Sequence, residues 1–88
     1  MNSHELVLYQ YTMCQYCYKV RRYMDAHEIQ IPLKDTLRDP EARAELIRIG
    51  GKGQVPALMI DGRILYESNA IIAWLHEHFV QPQAAHQE

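Results

Sequence analysis

The spacing of apolar and polar positions changes repeatedly along the chain, and each change predicts an element. Leu6-Val7-Leu8-Tyr9 is an unbroken apolar run, suited to a central strand buried on both faces. From about Cys14 to His27 the period lengthens to that of a helix. Cys17, Val20 and Met24 form its inward stripe with Tyr23 beside it, while Lys19, Arg21, Arg22 and Asp25 take the wet face. Ile29 to Leu33 alternates again and predicts a second strand, with Pro32 marking a sheet edge. Asp39-Pro40-Glu41 has the order of a helix start: a capping aspartate, a proline at the first helical position and an acid in the first turn. Ala42, Leu46 and Ile49 are its expected buried face, and Gly50-Gly51 its terminator. After a flexible Gly51-Lys52-Gly53 loop, Ala57–Ile60 and Arg63–Leu65 flank Asp61-Gly62, the signature of a two-residue hairpin turn. Ser68 is placed to cap a last helix whose apolar positions are Ile71, Ile72, Leu75 and Phe79, joined by Trp74; Gln81-Pro82-Gln83 ends it.

The order βαβαββα predicts an α/β fold, a four-stranded mixed sheet flanked by three helices, with the first two strands parallel across their helical crossover. Residues 1–80 form the domain, and residues 81–88 a flexible polar tail.

Composition narrows the function. A chain of 88 residues supports one core, and a net charge of −2 with interspersed signs offers no basic stripe for a nucleic acid backbone. No apolar run approaches a membrane span, and the first residues lack the pattern of an export signal, so the expected location is the cytoplasm.

The chemistry concentrates in Cys14-Gln15-Tyr16-Cys17, at the junction of the first strand and helix. A thiolate is the reactive form of cysteine, and the unpaired N–H groups and positive dipole end of a helix N-terminus stabilise one. Cys14 stands at that position, and Cys17, one turn later, is the candidate resolving thiol. The competing readings are two buried structural thiols, or a zinc site built from Cys14, Cys17 and His76-Glu77-His78. The second is disfavoured because the two histidines are remote in sequence and point to different helix faces. The tyrosines around the motif (Tyr9, Tyr11, Tyr16, Tyr18, Tyr23) are expected mostly at the core edge.

With these motifs in place, the chain resembles the thioredoxin fold, and most of all the glutaredoxins. Cys14-Gln15-Tyr16-Cys17 is similar to the glutaredoxin Cys-Pro-Tyr-Cys, Gln54-Val55-Pro56 to its Thr-Val-Pro with a cis proline, and Tyr66-Glu67-Ser68-Asn69 to its Gly-Gly-x-Asp turn. The second half, with Gly53–Leu58, Glu67-Ser68 and Ile71–Leu75, also resembles the N-terminal domain of glutathione transferases. Thioredoxin proper fits less well, because its Trp-Cys-Gly-Pro-Cys is absent.

Both closer families imply glutathione as ligand. By resemblance, Tyr16 and Gln54 line the site, and the Val55 backbone, before a cis Pro56, pairs with the cysteinyl unit. Ser68 and Asn69 hold the γ-glutamyl carboxylate at a helix N-terminus, Glu67 meets the ammonium, and Arg43 or Lys52 meets the glycyl carboxylate. The implied activity is that of a dithiol glutaredoxin, reducing glutathione mixed disulfides and protein disulfides through Cys14 and Cys17 as a monomer. Two departures matter. Tyr11 stands where glutaredoxins usually have a lysine, and Gln15 where they have a proline. A non-proline there is shared with glutaredoxins that bridge a [2Fe–2S] cluster between two subunits, so a cluster carrier, or a glutathione-binding module with little turnover, is the alternative.

Overall fold

The computed structural model describes residues 4–80; the tail expected over 81–88, with Gln81-Pro82-Gln83, lies outside the described residues. The elements run β1 (Leu6–Gln10), α1 (Gln15–Ala26), β2 (Leu33–Asp35), α2 (Pro40–Gly50), β3 (Ala57–Ile60), β4 (Arg63–Tyr66) and α3 (Ser68–Leu75), the last continued by a π-helical turn, His76–Val80. The sheet order is β2-β1-β3-β4, with β1 and β2 parallel and the other pairs antiparallel.

Alternation along the strands divides the core into two layers. Leu8, Leu58 and Ile60 face α1 and α3, where they pack with Val20, Met24, Ile29, Ile31, Ile71 and Leu75. Tyr9, Ala57 and Met59 point to the opposite face and meet Leu46 of α2. Each fully buried aliphatic side chain contributes about 1.5–3 kcal/mol, so both layers hold the sheet. The helix stripes expected for α1 are buried as expected, and Ala42 and Leu46 carry the buried face of α2 with Ile49 half-buried.

The helix ends follow local chemistry. Asp39 Oδ1 accepts the Glu41 N–H at 3.0 Å, and Gly51 closes α2 in the left-handed conformation with its N–H on Ile47 O at 2.8 Å. Asp61 and Gly62 both have positive φ, 51° and 87°, as a tight turn between β3 and β4 requires.

Three expectations are corrected. The second strand is Leu33–Asp35 rather than Ile29–Leu33. Pro32 has no N–H to donate, so its carbonyl accepts from Leu8 and regular pairing begins one residue later. Ile29 and Ile31 are buried, but as loop anchors under α1. Ser68 is not the cap of α3: Glu67 takes that position, with φ 80°, and Ser68 is the first helical residue. The last helix also changes pitch after Leu75. His78 Nδ1 donates to Trp74 O at 2.9 Å and its ring stacks on Trp74 at 3.9 Å, taking the carbonyl a regular turn would use. Among the described residues no helix is long and apolar enough to cross a membrane.

Candidate active site

β1 ends at Gln10, and a short turn over Tyr11 to Met13 delivers the chain to Cys14. The Cys14 N–H donates to Tyr11 O at 3.2 Å, and Cys14 itself is extended (φ −75°, ψ 119°), the conformation of a residue just outside a helix. Its sulfur then does what a serine or aspartate oxygen does at other helix starts: Sγ accepts the Cys17 N–H at 3.2 Å. Negative charge on that sulfur therefore meets an N–H donor and the positive end of the α1 dipole. Cys14 is 8 % exposed, and both cysteines are free.

Cys17 is different. It is wholly buried, and burial, followed by its hydrogen bond with Cys14, pushes its thiol from an ordinary 9.0 up to about 12. A backbone group of Tyr11 and the charge of Arg21 pull the other way without reversing the shift. Cys17 thus keeps its proton at neutral pH, and the pair is chemically asymmetric.

A groove of about 480 Å³ is lined by Tyr16, Gln54, Val55, Pro56, Glu67, Ser68 and Asn69. These are seven of the nine groove residues expected from sequence. The Val55–Pro56 peptide is cis, and Val55 makes no backbone–backbone hydrogen bond among the described residues. Gln54 Nε2 donates to Glu67 Oε2 at 3.1 Å, which ties the two groove walls. Ser68 is 8 % exposed, yet its hydroxyl has no hydrogen-bond partner among the described residues. A buried polar group without a partner is costly unless a ligand or water satisfies it. Tyr16 in the first turn of α1 and Ser68 and Asn69 in the first turn of α3 bring two helix N-termini to one groove, an arrangement suited to an anion.

The other two expected residues are not brought to the groove wall. The Lys52 ammonium lies over the Tyr66 ring, 4.8 Å from its centroid, and the Arg43 guanidinium packs against Gly53. Tyr16 and Tyr18, expected at the core edge, are more than half exposed on the helix that carries the motif. His76 meets the Tyr23 hydroxyl and His78 stacks on Trp74, and among the described residues no three His, Cys, Asp or Glu side chains come together as a metal site.

Three residues escaped the sequence reading. Arg21, assigned to the wet face, is half-buried and donates to Gln10 Oε1, Tyr11 O and Thr12 O. Gln10, its partner, is buried. Lys19 reaches across to Asn69 Oδ1 at 2.6 Å, setting a cation beside the N-terminus of α3. The signal for Arg21 lay in the spacing: it follows Cys14 by seven positions and Cys17 by four, so all three share a helix face.

Among known proteins, prostaglandin E synthase 2 of Danio rerio is 36 % identical over 72 residues, covering 81 % of this chain. This chain spans only 18 % of that relative's length. In structure it is similar to a glutathione transferase homolog from Drosophila mojavensis solved with bound glutathione, at a TM-score of 0.76 and 17 % identity, over 93 % of this chain and 38 % of that one. It is also similar to holo glutaredoxin C1 from Populus tremula × tremuloides, at 0.64 and 18 %, over 83 % of this chain and 74 % of that one. At these identities the structural likeness is one of fold, and that fold is thioredoxin-like. Residues 8–83 match the family described as glutathione S-transferase, N-terminal domain. The chain belongs to the family of glutathione S-transferase N-terminal domains.

Proposed function

We propose that this domain is a glutathione-dependent thiol–disulfide oxidoreductase, with Cys14 as nucleophile and Cys17 as resolving thiol. The observation that carries the reading is the Cys14 sulfur at the N-cap of α1, accepting the Cys17 N–H at 3.2 Å, two residues before Tyr16 of the groove wall.

Glutathione fits the groove by charge and hydrogen bonding. Its γ-glutamyl carboxylate goes to the Ser68 hydroxyl and the free N–H groups of Ser68 and Asn69, and its ammonium to Glu67. The cysteinyl unit pairs with the Val55 backbone beside Tyr16 and Pro56. That pose brings the glutathione sulfur toward Cys14. In the first step the Cys14 thiolate attacks the glutathionyl sulfur of a mixed disulfide. A bond forms between the two sulfurs, the original disulfide breaks, and the partner leaves as a thiolate. A second glutathione thiolate then attacks the same glutathionyl sulfur, forming oxidised glutathione and restoring the Cys14 thiolate. In the dithiol route Cys17 attacks Cys14 instead, losing its proton as glutathione leaves, and an internal disulfide results. Because Cys17 holds its proton strongly, this route is the slower one at neutral pH. The reaction suits a compartment with a glutathione pool, for which the cytoplasm is the proposed setting.

Turnover of a glutathionylated peptide tests the assignment. Cys14→Ser is expected to lose it, and Cys17→Ser to retain it; retention by Cys14→Ser would overturn the choice of nucleophile. The likeness to a prostaglandin E synthase 2 favours one second reading, a glutathione-binding domain that serves another reaction. That reading expects glutathione binding by calorimetry with no disulfide turnover. For the cluster-bridging alternative, anaerobic reconstitution with iron, sulfide and glutathione is expected to leave a colourless monomer.

A further inference from the structure

We propose that Arg21 is the positioning residue of the cysteine pair, its guanidinium gripping the turn that holds Cys14 at the N-cap of α1. The inference rests on the reading of Cys14 as a nucleophile. Three acceptors meet the one side chain. Nη1 donates to the side chain of Gln10 and, at 3.4 Å, to Tyr11 O; Nη2 donates to Thr12 O at 3.1 Å. Tyr11 O is also the acceptor for the Cys14 N–H. Arg21 therefore shares the carbonyl that fixes the nucleophile's own backbone.

The chemistry of the turn suits such a group. Tyr11, Thr12 and Met13 carry no charge, and two carbonyls just past the end of β1, those of Tyr11 and Thr12, accept from the one guanidinium. Tyr11 O already holds the Cys14 N–H, so the guanidinium adds a second donor there and bridges that carbonyl to Thr12 O. A guanidinium is permanently charged and presents several donors in one plane, so it satisfies both carbonyls and Gln10 together; an ammonium offers a single point. Gln10 is buried, which fixes the other end of the clamp. The same charge lies close enough to the pair to favour the ionised form of Cys17, against burial. Arg21 reaches no reacting atom: it acts through the turn and through its field.

The test is alkylation of Cys14 by iodoacetamide in the full reduced chain, followed at the peptide level across pH. Arg21→Gln is expected to slow the reaction about tenfold near neutrality and move the midpoint of the pH profile up by about one unit, with the alkaline plateau unchanged. Arg21→Lys keeps the charge without the fork and is expected to fall between Arg21→Gln and the parent. Gln10→Leu, which removes one end of the clamp and no charge, is expected to shift the midpoint in the same direction by less. If the variants fold, by circular dichroism, and their profiles superimpose on the parent's, the proposal is wrong. A purely structural role would lower thermal stability and leave the midpoint in place, which also overturns it. Alkylation needs no glutathione, so failure of the clamp and failure of the proposed activity are read separately. Absent turnover with a displaced profile contradicts the activity alone.

Discussion

Two sulfurs three positions apart meet opposite environments. Cys14 sits at a helix start with an N–H on its sulfur, whereas Cys17 lies in the core with its proton held up to about 12. The Cys17 shift has a consequence for stability. A group whose native pKa is raised favours the folded state fully below its unfolded value and loses that contribution as pH climbs to the native value. Folding stability is therefore expected to fall between about pH 9 and about 12, and the fall to be smaller in Cys17→Ala, checked by urea titration at stepped pH. Tyr9, whose hydroxyl is held protonated by burial and by its bond to Glu45, adds to the alkaline loss in both proteins. Ser68 supplies a second residue-scale prediction. A charge-assisted hydrogen bond is worth about 1.5–3 kcal/mol, so Ser68→Ala is expected to weaken glutathione binding by roughly ten- to a hundredfold, measured by calorimetry, with little change in melting temperature. The chemistry of the cysteine motif was legible because its meaning is local. The Arg21 clamp was not, because a solvated arginine and one closing on three backbone and side-chain acceptors look alike until the turn is built.

At the level of elements, the entry to α3 combines site and strain. Glu67 has φ 80° and ψ 123°, outside the regions open to residues with a side chain, and its carboxylate accepts from Gln54 in the groove. Such a conformation costs about 1–3 kcal/mol, against which a glycine loses about 0.5–1 kcal/mol in chain entropy. Glu67→Gly is accordingly expected to raise the melting temperature by a few degrees while weakening glutathione binding, a trade of stability against affinity read by thermal melts and calorimetry on one sample. Away from the groove lining, Gly50 packs where α2 meets β4: an added Cβ would run into the Tyr66 hydroxyl and come within 2.9 Å of Ile64 Cγ1. Gly50→Ala is expected to cost about 1–3 kcal/mol by denaturant unfolding, because Tyr66 also donates to Lys52 O and cannot swing away freely. Element boundaries were readable where a single residue decides them, as at Asp39, Gly51 and Asp61-Gly62. They shifted where two residues compete. The expected second strand ran through Pro32 and ended at Leu33, where the real strand begins, and at Ser68 a good capping residue lies one position inside the helix.

For the molecule as a whole, the sheet divides labour between its faces. α2 closes one side over Tyr9, Ala57 and Met59, while α1 and α3 pack together on the other and bring their N-termini to the same groove. That convergence follows from connectivity: α1 follows β1 and α3 follows β4, and the groove is completed by the stretch ahead of β3. The overall order was legible because each apolar run has one period and one length. The coming together of Tyr16, Gln54 and Ser68 was available from family resemblance, since nothing in their spacing alone joins three distant segments.

The most direct test of this account is to mix the reduced Cys17→Ser chain with oxidised glutathione near neutral pH and locate the adduct by tandem mass spectrometry. The account predicts rapid formation of one mixed disulfide, on Cys14, released again by added reduced glutathione. A chain that stays unmodified, or one in which Cys14 reacts no faster than an unfolded control, would contradict it.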